Sequence, residues 1–155
     1  AIKFTNINQL KFRVSGRTKQ YISAFGEHVI ADEVERSLRK VCEKFKEVEI
    51  VEYSVGPRIM NQKSKSHHEW LIEFKSLPLN FKDFKNELDL NMRNLNTYYN
   101  DLRKDKILSR LKITSVKKKS FINFMKSIGK LGGQNKVPRL SNSIKLIDKI
   151  KKLER

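Results

Sequence analysis

Val48-Glu49-Ile50-Val51-Glu52-Tyr53-Ser54-Val55-Gly56-Pro57-Arg58-Ile59, a polar stretch over 61–66, and Glu69-Trp70-Leu71-Ile72-Glu73-Phe74 are the residues on which the fold turns. Both runs are rich in β-branched and aromatic side chains, which fit a pleated, half-buried surface better than a helix. The first predicts a strand broken at Gly56-Pro57, because proline cannot donate to a sheet ladder. The second predicts a partner strand, so the two form a long hairpin. Trp70, Tyr53 and Phe74 are expected in the core rather than on a base-stacking surface.

Working outward from the hairpin, Asp32 followed by Glu35 reads as a helix start of the capping-box kind. Val34, Leu38, Val41 and Phe45 then recur at helical spacing, so residues 32–46 are expected as an amphipathic helix. Earlier still, Leu10, Phe12 and Val14 alternate with Lys11, Arg13 and Ser15, a strand ended by Gly16, and residues 21–25 read as a second short strand closed by Gly26. Beyond the hairpin, Asn80 can cap the longest helix, with Phe81, Phe84, Leu88, Met92, Leu95, Tyr98 and Leu102 on one stripe. Residues 108–116 predict a strand and 121–128 a short helix ended by Gly129. A glycine-rich loop covers 129–139. Ser141 or Asn142 then caps a basic helix with Ile144, Ile147 and Ile150 turned inward. The order predicts an α+β domain: a β-hairpin start, a β-α-β-β-α-β core forming a small mixed sheet with flanking helices, and terminal helices.

At 155 residues, 38 % hydrophobic and 33 % charged, the chain suits one globular domain with a modest core. No apolar run approaches the roughly 20 residues needed to span a bilayer, so no membrane is expected. The start has no apolar signal region and no Met, and hints at an excised fragment. The lone Cys42 cannot form an internal disulfide and is expected to be a buried, inert thiol. A reducing, cytoplasmic location follows as the default.

The formal net charge of +17 points toward polyanions. Lys supplies 24 of the 34 positive charges, and the lysines spread from Lys3 to Lys152 beside 14 Ile and 12 Asn. A phosphate-binding face favours clustered arginine forks, so the dense run Lys117-Lys118-Lys119 reads as a solvated strand end and nucleic acid is not an expected partner. A freestanding basic α+β module binding RNA or another polyanion is the rival reading. His67 and His68 precede Glu69, but no Cys or further His completes a zinc set, and no metal site is expected.

Two segments can carry chemistry. Gly16-Arg17-Thr18-Lys19-Gln20-Tyr21-Ile22-Ser23-Ala24-Phe25-Gly26-Glu27, followed by Glu33-Val34-Glu35, combines two glycine turns, two cations and an acidic helix start. It reads either as an ordinary hairpin with an exposed Arg and Lys or as a hinge. Gly129-Lys130-Leu131-Gly132-Gly133-Gln134-Asn135-Lys136-Val137-Pro138-Arg139 is not a Walker loop, since no Gly-Lys-Ser/Thr closes it. Its glycines deliver a lysine into a segment that Pro138 stiffens by restricting Val137 to extended geometry. Such a lysine suits an oxyanion at a phosphoryl centre. A helix C-cap glycine followed by a basic surface loop is the other reading.

Arg17-Thr18-Lys19, Ile22-Ser23-Ala24-Phe25-Gly26-Glu27-His28-Val29, His68-Glu69-Trp70 and the run 129–139 stand in the order and rough spacing of the Gretchen Hagen family. That family holds the auxin-responsive acyl amido synthetases of plants and their bacterial relatives, and the resemblance, closest to the bacterial ones, covers roughly residues 10–150. Gln134-Asn135-Lys136-Val137-Pro138-Arg139 resembles the family's Gln-x-Lys-x-Pro-Arg segment, whose Lys sits at the adenylation site. The resemblance implies that residues 1–155 are a single mobile C-terminal domain of a larger acyl-adenylating ligase. It implies Lys136 as catalytic residue, Arg17, Lys136 and Arg139 at the nucleotide, and Lys19 as the hinge within 16–20. It further implies ATP with Mg2+, bound mainly by an N-terminal domain outside this chain. The partners so implied are that domain, a carboxylic acid substrate and an amine or thiol acceptor.

Overall fold

The computed structural model describes residues 2–6, 11–14, 21–60 and 65–154. In chain order the elements are β1 (Ile2–Asn6), β2 (Lys11–Val14), β3 (Tyr21–Ile22), β4 (Val29–Ile30), α1 (Ala31–Lys44), β5 (Glu49–Arg58), β6 (His67–Ser76), α2 (Phe81–Leu95), α3 (Thr97–Lys104), β7 (Lys112–Val116), α4 (Ser120–Ser127) and α5 (Lys145–Lys152). β1 pairs with β2 and β3 with β4, each antiparallel, while β5-β6-β7 form a mixed sheet. Its β5–β6 ladder is antiparallel and β6–β7 parallel, with α2 and α3 making the crossover that a parallel pair requires. The α+β class and the central hairpin stand as the sequence predicts.

The alternation in β6 explains how the layers assemble. Trp70, Ile72 and Phe74 belong to a core shared with Val34, Leu38 and Val41 of α1 and Phe84, Leu88 and Met92 of α2. Leu71, one step along and so on the opposite face, packs with Val116, Phe121 and Phe124 and with Ile147 and Ile150 of α5. The central strand is therefore covered on both sides. Complete burial of side chains such as Leu71, Ile72 and Phe84 stabilises by about 1.5–3 kcal/mol each. Trp70, Tyr53 and Phe74 are core residues, as expected. Cys42 is half-buried against the same core, and burial pushes its thiol pKa up.

Several local expectations give way to tertiary contacts. β5 runs unbroken through Gly56-Pro57 to Arg58. It is an edge strand, and Val55 turns its N–H and C=O away from β6. The nitrogen of Pro57, two residues on, lies on that same outer side, where a missing donor costs the ladder nothing. The long helix is two: Asn96 breaks it, accepting from the Tyr99 N–H at 2.7 Å and donating to Glu33 at 3.0 Å. The break moves the inward face by one residue, so Tyr99 is buried and Tyr98, expected inside, is 67 % exposed.

Other boundaries shift for similar reasons. α1 begins at Ala31, and Glu33 rather than Glu35 reaches back, accepting from the Ile30 N–H at 3.0 Å. The expected strand over 21–25 stops at Ile22, because the Phe25 N–H turns to the Glu27 carboxylate at 2.8 Å. β7 starts at Lys112, since the Ser109 N–H bonds the Ser66 carbonyl and the Leu111 N–H faces Asp89. Neither Ser141 nor Asn142 caps α5, whose N-cap position is Ile144. Asn142 instead accepts from the Ser23 N–H at 2.9 Å. Leu10, Gly16 and the loop residues 61–64 lie outside the described residues. No helix among those described is long and apolar enough to cross a membrane.

Candidate functional site

The loop over 129–139 starts from a defined helix end. At the close of α4 the Lys130 N–H bonds the Met125 carbonyl at 2.9 Å and the Gly129 N–H bonds Lys126 at 3.0 Å, a Schellman arrangement. It needs a left-handed residue, and Gly129, at φ +66, supplies it without a Cβ clash. From there residues 130–136 are exposed, while Leu140 is buried.

The far end of the loop is fastened to the sheet. Val55 donates to the Arg139 carbonyl at 2.8 Å and accepts from the Ser141 N–H at 3.1 Å, making a short parallel bridge to Leu140. Ser54 Oγ donates to the Pro138 carbonyl at 2.8 Å. The Arg139 side chain adds a further fixture: Nε meets Glu52 and an Nη meets Glu35, both at 2.9 Å. Its guanidinium carbon stands 5.0 Å from the centre of the Tyr53 ring. Burial pushes the Tyr53 phenol pKa well up, against the opposing pull of the Arg139 charge.

Between this loop, α4 and the outer part of β5 lies a cleft of about 950 Å³. Val51, Ile122 and Leu131 contribute apolar walls, and Lys130, Lys136 and Arg139 line it together with Glu35, Glu52 and Glu73. Glu73 is buried and committed to the start of α4, accepting from the Lys119 N–H at 2.7 Å. Lys136 makes no hydrogen bond or ion pair among the described residues, so its ammonium stands free at the cleft. The lining holds no His, Cys or Ser. What this arrangement offers is a delivered positive charge, since Glu35, Glu52 and Glu73 are each already bonded to Arg139 or to the Lys119 N–H. Among the described residues no group of three or more His, Cys, Asp and Glu is placed to hold a metal ion.

Of the residues singled out from sequence, Lys136 and Arg139 share one loop and one cleft. Arg17 and Lys19 lie outside the described residues. Two of the quoted segments do meet, through side chains that the sequence reading passed over. Glu27 and His68 form a buried pair, Oε1 to Nε2 at 2.7 Å, with both side chains at most 1 % exposed. Burial alone would raise the Glu27 carboxyl pKa, but the hydrogen bond and charge of His68, with backbone N–H groups, hold it below its ordinary value. His68 also lies against Tyr99, whose hydroxyl donates to Asp89 at 2.7 Å, and Asp89 pairs with Arg103. The signal for the pair was the run Gly26-Glu27 beside an otherwise unexplained histidine. Glu35, Glu52 and Ser54 gave no sign in sequence of reaching the loop.

The sequence profile described as the GH3 family C-terminal domain matches residues 32–145. Among solved structures the chain is similar to "GH3.15 acyl acid amido synthetase", with a TM-score of 0.73 at 19 % identity over 91 % of this chain and 26 % of that one. It is similar also to "AtGH3.15 acyl acid amido synthetase in complex with 2,4-DB", with a TM-score of 0.68 at 18 % identity and the same coverages. At such identities the likeness is one of fold, and the chain spans about a quarter of those proteins. Compared by sequence with curated proteins, it matches none.

Proposed function

This chain belongs to the GH3 family, as its C-terminal domain, and from that premise we propose that it is the mobile C-terminal part of a larger ATP-dependent acyl-adenylate-forming ligase. In that reaction a carboxylate oxygen attacks the α-phosphorus of ATP, the bond to the pyrophosphate oxygen breaks, and pyrophosphate leaves. An amine or thiol then attacks the acyl carbon of the adenylate and displaces AMP. The observation that carries the reading is Lys136: an ammonium without a partner among the described residues, on a glycine-started loop whose far end is fastened to the sheet.

Negative charge gathers between the attacking carboxylate and the α-phosphate, and a compact cation held there lowers the barrier without needing to lose a proton. The carboxylates of the cleft are committed to Arg139 and to the start of α4, which suits a domain that contributes charge to a site built largely elsewhere. ATP with Mg2+ is accordingly bound mainly by the N-terminal domain of the parent protein, the metal neutralising the phosphates. Arg17 is proposed to lie toward the nucleotide, a role the family resemblance supports. Lys19 is the pivot about which the domain turns between the two half-reactions, withdrawing Lys136 once the adenylate has formed.

ATP–pyrophosphate exchange tests the proposal. In the full-length protein, with its carboxylic acid, Lys136→Ala is expected to cut exchange roughly 10²–10³-fold, the scale for one preorganised charge at a developing oxyanion. Transfer from a preformed acyl-adenylate to the acceptor should change little. The isolated chain should show no exchange. Equal losses in both half-reactions, or robust exchange by the isolated chain, would overturn it.

A further inference from the structure

Arg139 closes the run 129–139, and the family resemblance would set it at the nucleotide. Its surroundings argue for another use. A guanidinium carries five N–H donors in a rigid plane. Here the Nε edge is taken by Glu52 and one Nη by Glu35, each at 2.9 Å, and the face lies over the Tyr53 ring at 5.0 Å. These partners come from α1 and β5, elements that are part of the main core. The backbone of the same residue is bonded to Val55, and that of Pro138 to Ser54.

The loop is thereby divided into two halves. Residues 130–136 are exposed, whereas 138–141 are fastened to the edge of the sheet. Lys136 sits at the boundary, three residues from Arg139, which is at most about 10 Å of extended chain. Val137, held extended by the proline that follows it, is the strut between them. A cation on such a strut keeps its place only as well as the strut's foot is held.

We infer that Arg139, with Glu35, Glu52 and Ser54, forms a clamp that positions Lys136, and that Arg139 acts as a positioning residue rather than a nucleotide ligand; this rests on the reading of Lys136 as the adenylation lysine. Asn142 extends the clamp to the Ser23 N–H, so the foot of the loop is joined to the segment that follows residues 16–20. The loop lysine then moves with the body of the domain and not as a separate flap.

Two variants of the full-length protein separate the roles, Arg139→Ala and the double Glu35→Gln/Glu52→Gln. If Arg139 positions Lys136, each lowers kcat for ATP–pyrophosphate exchange about tenfold, with KM for ATP kept within roughly twofold. Combining all three substitutions adds no further loss. Limited trypsin digestion gives a readout that does not depend on activity. Cleavage after Lys136, measured against cleavage after Lys130 in the free half, rises about fivefold in both variants as the foot opens. An unchanged kcat and cleavage ratio in the double variant would overturn the clamp. So would a raised KM for ATP with unaltered kcat in Arg139→Ala, the mark of a nucleotide ligand. A complete lack of exchange in the unmodified full-length protein would sink the proposed function instead, and the tryptic ratio would then decide on the clamp by itself.

Discussion

Arg58 at the end of β5 and Arg139 at the foot of the loop each bridge two carboxylates, and they do so in opposite settings. Arg58 joins Glu69 of β6 to Asp148 of α5, with its side chain 24 % exposed and that of Glu69 only 6 %. Lys151 and Thr114 complete the shell around Glu69 at 2.7 and 3.1 Å. Arg139 joins Glu35 to Glu52 with 45 % of its side chain in solvent and 55 % of that of Glu35. The same chemistry thus has two outcomes. Around the buried Glu69 carboxylate, losing a partner weakens the compensation of a charge largely shielded from water, so the cluster ties α5 to the sheet. At the surface each pair is worth little alone, and it serves to orient a loop without fixing the fold.

The sharpest way to break the contrast is Arg58→Ala, which leaves the buried Glu69 with Lys151 and Thr114 as its remaining partners. A loss of about 1–3 kcal/mol is expected in urea unfolding of the chain, since Lys151 still compensates Glu69. A loss under about 1 kcal/mol would mean that the interior cluster is no more committed than the surface one.

Acid titration probes the interior side next. Glu27 and Glu69 both have pKa values held below the ordinary 4.5, with burial opposing and the cationic or hydrogen-bonding partners prevailing. A depressed folded-state pKa contributes stability that is present above the unfolded value and lost as pH falls through the folded one. Thermal stability is therefore expected to fall as pH is lowered below about 4.5. Glu27→Gln should cost about 1–3 kcal/mol at neutral pH and flatten that acid limb. A limb of unaltered steepness in this variant would show that the Glu27–His68 pair takes no part in it.

Effects on the loop side should be smaller in stability. Arg139→Ala is expected to cost about 1 kcal/mol, the sum of exposed ion pairs and a cation–ring contact. Lys136→Ala should stay within about 0.5 kcal/mol of the unmodified chain, because Lys136 has no partner among the described residues to lose. A larger destabilisation by Lys136→Ala, seen as a shifted urea midpoint, would mean that this lysine supports the fold and is not held in reserve for chemistry.

Much of the architecture was legible because local pattern and tertiary role agree there. The β-branched runs around Tyr53 and Trp70 alternate with the pleat, and Val34, Leu38 and Val41 follow one helical stripe into the core that receives them. Gly129 ends α4 because one left-handed residue suffices to close a helix, and that requirement is written in the sequence itself. The family resemblance was legible for the same reason, as short runs in fixed order.

What only the tertiary structure decided depends on partners far apart in the chain. Arg139 reaches Glu35 across 104 residues and Glu52 across 87, and Glu27 meets His68 across 41. No periodicity encodes such pairs, since each partner alone reads as an ordinary surface charge or a lone histidine. Asn96 teaches the same on a smaller scale. Its apolar neighbours continue the stripe of α2, yet its amide finds Tyr99 and Glu33 and ends the helix. The sequence by itself determined the α+β class, the central hairpin and the glycine-started loop that carries Lys136. The folded packing decided which charges are buried against one another and which clip holds that loop, because the energy of a charge depends on its distance to a partner and on the water excluded between them.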